Sequence, residues 1–380
     1  MRILCLISIA CILANYAKAQ TFAIGHTQIS FHDASRNRDV TTEIYYPAAI
    51  AGNDVPVDSG TFPTIVFGHG FVMVWSSYQN VWEALVPDGY VLVFATTEGS
   101  FAPDHFAFAE DLNFLLQTMT AENINNNSIF YSHLSNNMAI MGHSMGGGAS
   151  LLAIANNTSL KAMIGLAPAE TTPSAIDVCG EIVVPVLIFS GENDGVTPPA
   201  DHQIPMYNAL SGVCKTHVTI LGGGHCFFAN TDALCELGES FSNPQPTITR
   251  NEQQAIYQPL MHDWFDYYLK NDLVAGQNFT DALQSSTEIS FNQMNCSITN
   301  SQGLISKQDF SIYPNPADEF IRIENGNELE IIMLHSMDGK LEMSFAPSEL
   351  IPLAGFSDGI YLLTGILKDA FWNQKIIIIR

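Results

Sequence analysis

From Phe22 to about Asn295, short apolar runs take turns with longer segments of helical spacing. Val40–Tyr46 alternates and stops at Pro47, while Thr64–Phe67 is a β-branched and aromatic run that ends in Gly68-His69-Gly70. Trp75–Leu85 has apolar residues at helical intervals, Tyr90–Ala95 reads as strand, and Asp104–Met119 as an amphipathic helix. Met138–Met141 predicts a strand entering a glycine-rich turn, with a helix from Met145 to Ala155 behind it. Ala162–Leu166, Val186–Phe189 and Val218–Leu221 read as further buried strands, and Glu252–Leu269 as a final helix. Strands that are apolar throughout are covered on both faces, and the helices between them supply the crossovers that parallel pairing requires. The expected architecture over residues 20–296 is α/β, a mostly parallel sheet flanked by helices.

The pattern changes near residue 297. Residues 297–308 are polar and turn-rich, which predicts a linker. Beyond them Ile312-Tyr313, Phe320–Ile323, Glu330–Leu334, Ile360–Leu363 and Lys375–Ile379 are divided by Asn-Gly, Asp-Gly and Pro turns. That is a hairpin-rich, all-β module over residues 309–380, read as a small sandwich that needs no helix. Its Tyr313-Pro314-Asn315-Pro316 start, its Asp358-Gly359-Ile360-Tyr361 turn and its Lys375-Ile-Ile-Ile-Ile-Arg380 ending resemble the C-terminal sorting domain of type IX secretion substrates. The resemblance implies an export address without chemistry, whose partner is the secretion machinery. An ordinary adhesive or carbohydrate-binding β-module is the alternative.

The first residues read as a signal peptide over 1–19: Arg2 gives a positive start, Ile3 to Ala14 is apolar, and Ala17-Lys18-Ala19 is an A-x-A cleavage site. A lipoprotein anchored at Cys11 is the alternative, although Ser8-Ile9-Ala10 makes a poor lipobox. Export through the periplasm to the outside or the cell surface is expected. Only 14% of residues are charged, yet 14 Lys and Arg face 38 Asp and Glu, and losing Arg2 and Lys18 takes the net charge from −24 to −26. So negative a surface repels phosphate backbones and anionic headgroups, which disfavours nucleic-acid or electrostatic membrane binding. No apolar run is long enough to span a bilayer. The oxidising compartment permits disulfides among Cys179, Cys214, Cys226, Cys235 and Cys296, an odd number with one thiol to spare.

Residues 138–150 carry the candidate chemistry. A strand runs into Gly142-His143-Ser144-Met145-Gly146 and a helix follows, the setting a G-x-S-x-G nucleophile elbow requires. A serine at the tip of such a turn is held in strained φ/ψ and crowded from two residues away on either side. Glycine at both places lets the turn close, and the helix N-terminus adds positive potential where an oxyanion would form. A structural glycine turn is the plain alternative.

A serine hydroxyl needs a base, and the base an orienting carboxylate, in the chain order Ser, acid, His. Asp194 follows the Val186–Phe189 strand in the expected loop, with Glu192 as its competitor. His225 follows Val218–Leu221 after three glycines, a loop able to carry the ring back over the elbow. His143 is expected to face away from the cleft and pack, His217 to alternate to the surface, and His202 and His262 to lie on helices. An oxyanion hole needs two backbone N–H donors. Met145 is one candidate, and Phe71, after Gly68-His69-Gly70, is the other, its ring forming a pocket wall or serving only as core.

On these residues, namely the Gly-His-Gly-Phe71 loop, GHSMGGGASL around Ser144, PVLIFSGENDGVTP around Asp194 and GGGH ending at His225, residues 21–296 resemble the secreted polyester hydrolase, cutinase and lipase group of the α/β-hydrolase family, and also the dienelactone hydrolase branch. The resemblance implies the α/β-hydrolase fold and a serine esterase of carboxylic esters or polyesters, working without cofactor or metal. By position it makes Ser144 the nucleophile, Asp194 the acid, His225 the base, and Phe71 and Met145 the oxyanion pair. The group usually places a Trp after the proline of the loop following the next strand. Here Ala169 follows Pro168, and Trp75 or Phe101 on other loops are the aromatic residues able to stand in. A lipase or a short-chain esterase like platelet-activating-factor acetylhydrolase is the alternative within enzymes, and a catalytically dead secreted binding protein the alternative outside them.

The short interval between Leu166 and Val186 leaves no room for a helical lid, so an open cleft and a bulky substrate are expected. Cys179 and Cys214 each precede a strand and are the expected pair, Cys226 with Cys235 the second, and Cys296 the spare thiol. A monomer is expected.

Overall fold

The computed structural model describes residues 22–155, 157–296, 310–336, 341–367 and 370–379. The signal peptide expected over 1–19 and the linker expected over 297–308 lie outside the described residues. Strands β1 (Ala23–Asp33), β2 (Arg38–Ala48), β3 (Gly52–Asn53), β4 (Phe62–Gly68), β5 (Val91–Ala95), β6 (Leu134–His143), β7 (Ala162–Leu166), β8 (Val186–Gly191), β9 (Lys215–Ile220) and β10 (Ile289–Met294) form one sheet. Their order is β10-β9-β8-β7-β6-β4-β5-β2-β1-β3. The central pairs from β5 through β4, β6, β7 and β8 to β9 are parallel; β1 with β2, β2 with β5, and β9 with β10 are antiparallel.

Helices α1 (Gln79–Leu85), α2 (His105–Glu122), α3 (Met145–Ala153), α4 (Ala175–Val178), α5 (Gln203–Ala209), α6 (Ala233–Ser240), α7 (Arg250–Lys270) and α8 (Leu273–Ser285) connect and flank the strands. Alternate residues of each central strand enter different cores. Val66, Val93 and Ile140 pack with α2 and α3, whereas Ile65, Phe67, Leu92 and Met141 pack with α1, α7 and α8. Each large apolar side chain so buried contributes roughly 1.5–3 kcal/mol relative to exposure, so both layers hold the strands. Asp104 caps α2 by accepting from the N–H groups of Phe106 and Ala107, and Thr249 with Glu252 forms a capping box at α7.

The expected strands and long helices are in place. The strands β1 and β10, antiparallel to β2 and β9, and the helices α5, α6 and α8 are additions, and they bring two corrections. His217, expected at the surface, is buried, with Nε2 2.6 Å from Ser190 Oγ. The unforeseen α5 supplies part of its cover through Tyr207, whose ring centroid lies 6.0 Å from that of His217. The expected Cys179–Cys214 pair does not form. Cys214 is bonded to Cys296, Cys226 to Cys235 as expected, and Cys179 is free and buried. The cause is β10: its register sets Met294 opposite Lys215, which brings Cys296 alongside Cys214.

Residues 310–379 hold two further sheets. β11 (Ile312–Tyr313), β12 (Phe320–Ile323) and β15 (Leu350–Pro352) form one; β13 (Ile331–Ser336), β14 (Leu341–Phe345), β16 (Gly359–Leu367) and β17 (Ala370–Ile378) form the other, in the order β14-β13-β16-β17. Ile321, Ile323 and Ile351 of the first share a core with Ile332, Leu334, Leu363 and Ile376 of the second, which makes the module a sandwich.

Candidate active site

β6 delivers the chain to His143 and α3 takes it away from Met145, leaving Ser144 at the corner with φ 54° and ψ −124°. Such a backbone costs a non-glycine residue of order 1–3 kcal/mol, so the surroundings must impose it. They do: Ser144 N–H donates to Leu166 O at 2.9 Å, and Ser144 O accepts from Gly147, Gly148 and Ala169 N–H at 2.9, 3.1 and 2.8 Å. A Cβ on Gly146 would stand 2.2 Å from the Gly68 carbonyl, and one on Gly142 would stand 2.3 Å from Gly146 O. No other residue closes this corner against β4.

Asp194, in the loop after β8, is buried and saturated. Its Oδ1 accepts from Val196 and Thr197 N–H at 2.9 and 2.7 Å, and its Oδ2 from Thr197 Oγ1 and His225 Nδ1, both at 2.8 Å. An Nδ1 that donates to the carboxylate leaves Nε2 of a neutral ring as a lone-pair base. Glu192 is exposed and accepts from Gly222 N–H at 2.8 Å, so the geometry selects Asp194 over its competitor. Thr197, a third member that sequence reasoning missed, also lies 2.9 Å from His225 Nδ1. Its signal is the Asp194-x-x-Thr197 spacing, which lets one carboxylate take both the amide and the hydroxyl of the same residue.

Ser144 and His225 line one open cavity of about 340 Å³ together with Phe71, Phe101, Leu237 and Phe241. No hydrogen bond joins Ser144 Oγ to His225 Nε2 among the described residues. Phe71 borders this cavity, and Met145 is buried one residue beyond Ser144. Neither amide is engaged in a hydrogen bond among the described residues. Trp75 is turned away, donating from Nε1 to Tyr45 Oη at 3.1 Å, whereas Phe101 is 77% exposed and meets Phe71 edge to face at 6.3 Å. Of the two suggested stand-ins for an aromatic at Ala169, Phe101 is therefore the one that borders the cleft. The β7–β8 interval carries the four-residue α4 and a single 3₁₀ turn at Cys179–Glu181, neither long enough to cover the cleft. α6, unforeseen in the sequence, forms a wall instead. A hollow of about 410 Å³ with a mixed lining, Thr64, Asn113 and Gln117 beside Leu116 and Met138, lies at the amino ends of the strands, the opposite end from Ser144.

His143 is fully buried, as expected, and burial pushes its pKa well below the ordinary histidine range. The neutral ring donates from Nε2 to His225 O at 3.1 Å, and Tyr78 Oη lies 3.0 Å from Nδ1. Tyr78 Oη in turn accepts from Gly70 N–H at 2.7 Å.

A mostly parallel sheet with a strained serine at the end of a central strand, and a carboxylate-bound histidine facing the same cleft, defines an α/β-hydrolase. The PET hydrolase-like family model matches residues 16–240, and the chain belongs to that family of carboxylic ester hydrolases. The chain is 28% identical over 211 residues to Cutinase 1 of Thermobifida cellulosilytica, covering 55% of this chain and 73% of that one. It is 31% identical over 186 residues to Cutinase est2 of Thermobifida alba, covering 48% and 56%. It is 30% identical over 190 residues to a bis(hydroxyethyl) terephthalate hydrolase of Streptomyces coelicolor, covering 50% and 56%. The chain thus spans little more than half the length of the last two. A secretion system C-terminal sorting domain matches residues 311–379.

Proposed function

We propose that residues 20–296 are the hydrolytic unit, a secreted serine esterase acting on apolar carboxylic esters and polyesters, and that residues 309–380 address it to the type IX machinery by way of the periplasm. The observation that carries this reading is the convergence of Ser144, at its strained corner, and His225, hydrogen-bonded to Asp194, on one cavity. In the proposed cycle His225 Nε2 takes the Ser144 proton as Oγ bonds to the ester carbonyl carbon. The carbonyl electrons move to the oxygen, which Phe71 and Met145 N–H hold. When the tetrahedral centre collapses, the C–O bond to the alcohol breaks and His225 returns its proton to the departing oxygen. Water then repeats the sequence on the acyl-enzyme, releasing the carboxylic acid and restoring Ser144.

Ser144→Ala is expected to abolish turnover of p-nitrophenyl butyrate while circular dichroism stays unchanged. Near-parental turnover in that variant would remove the assignment. Products from a panel running from short nitrophenyl esters through emulsified triglyceride to polyester film identify the substrate class.

A further inference from the structure

α6 presents two different faces at this site. Leu234 and Leu237 line the cavity, with Phe241 just past the last turn. On another side Glu239, 4% exposed, reaches under the His225 loop: its Oε1 accepts from His225 N–H at 2.5 Å and from Cys226 N–H at 3.3 Å. Gly224 makes the room, since a Cβ there would stand 2.5 Å from that oxygen. The helix is fixed at both ends. Asp232 caps it and accepts from Ser77 Oγ at 2.7 Å, Cys235 is bonded to Cys226, and Gln245 Nε2 donates to Glu239 O at 2.8 Å.

A carboxyl in this place is costly, because burial pushes its pKa above the ordinary range and the two amide donors oppose that only in part. A neutral amide oxygen would accept from the same N–H groups without the charge. We infer that Glu239 is a positioning residue for hydrolysis: it holds the main chain of His225 as Asp194 holds the ring, and it locks the base to the apolar wall formed by α6. Two carboxylates thereby grip one histidine, one at the imidazole and one at the peptide. The inference rests on the reading of His225 as the base.

With p-nitrophenyl butyrate at pH 8, Glu239→Ala is expected to lower kcat by about 10- to 30-fold with KM within about 3-fold of the parent, the scale on which a slightly misplaced base loses rate. Glu239→Gln keeps an oxygen at the same reach and should hold kcat within about 3-fold of the parent, because the acceptor matters more than the charge. Fluorophosphonate labelling of Ser144 should slow in step with kcat. A folded Glu239→Ala enzyme with parental kcat, a loss carried wholly by KM, or a Gln variant as impaired as the Ala variant would each overturn the proposal. If Glu239→Ala does not fold, Glu239→Asp takes its place, with the same charge one methylene short of the two amides. It should lose kcat as the Ala variant would, and parental kcat there overturns the proposal equally. A parent enzyme that is not labelled at all would sink the hydrolase reading itself, which keeps the two failures apart.

Discussion

Tyr78 Oη lies 3.0 Å from His143 Nδ1, and through that contact three loops of the cleft are joined. Gly70 N–H donates to Tyr78 Oη, the hydroxyl donates to His143, and His143 Nε2–H donates to the carbonyl of His225. The chain is buried throughout, where an unsatisfied partner costs about 1–3 kcal/mol. Tyr78→Phe strands both Gly70 N–H and His143 Nδ1. It should lower the unfolding free energy by roughly that amount and slow ester turnover, because the Phe71 amide and the His225 ring lose their common brace. Urea titration with a matched kcat measurement checks both; unchanged values in each would show that the brace bears no load.

Asp194 and Glu192 sit two residues apart, yet only one carboxylate meets His225. Asp194→Asn is expected to lower kcat by on the order of 10⁴-fold by turning the ring to the wrong tautomer. Glu192→Gln should change it by less than about 3-fold, as befits an exposed carboxylate away from the ring. Comparable losses in the two variants would reject the triad as drawn.

The aromatic border of the cleft predicts selectivity. Phe101 and Phe241 are exposed by 77% and 83% and line the same cavity, in a site where Ala169 offers no ring. Replacing both with Ala should lower turnover of bis(hydroxyethyl) terephthalate by about 10-fold or more relative to p-nitrophenyl acetate, since ring contacts are each worth about 0.5–1.5 kcal/mol. An unchanged ratio of the two rates would show that neither ring touches the acyl group.

His217 sets a pH dependence of stability. Burial lowers its pKa from the ordinary 6.5 to about 4. The unfolded chain therefore binds a proton between about pH 6.5 and 4 that the folded protein refuses, so stability is lost as pH falls through that window. The loss approaches about 3 kcal/mol for one such group. Denaturant titrations at pH 7 and pH 4 should show His217→Gln losing less stability on acidification than the parent; equal losses would place the proton uptake elsewhere.

The sulfur pairing is open to direct test. Non-reducing peptide maps should contain Cys214 joined to Cys296 and Cys226 joined to Cys235, with Cys179 alkylated only after denaturation, because burial raises its thiol to about 12. Cys214 and Cys296 are 82 residues apart. In the chain-entropy view, closing such a loop stabilises by about 4–5 kcal/mol, which the double Ser variant should lose.

The central strands were legible because they are buried on both faces and so read as uninterrupted apolar runs. The places of Ser144, Asp194 and His225 in the fold were legible because glycine-bracketed or strand-end positions mark them locally. The elements that escaped are those whose order comes from contacts distant in sequence. β10 runs Ile-Ser-Phe-Asn-Gln-Met, half polar, because it is an edge strand with one face exposed. With it went the partner of Cys214. α6 is short and mixes Leu, Cys, Glu and Gly, and its place is set by Asp232, Cys235 and Glu239 meeting residues of other loops. Glu239 could not be assigned from sequence, since nothing local separates it from the nearby, half-buried Glu236, which pairs with Arg250 instead.

Among the described residues β10 pairs only with β9, so a pull on the chain beyond it would by itself peel this strand off like the end of a zip. The bond from Cys296 to Cys214 reroutes that traction. Load arriving through the segment that leads to the sorting module enters at the start of β9, which is gripped by neighbours on both sides. The crosslink thus anchors the carboxyl end of the larger sheet one strand further in than its own edge.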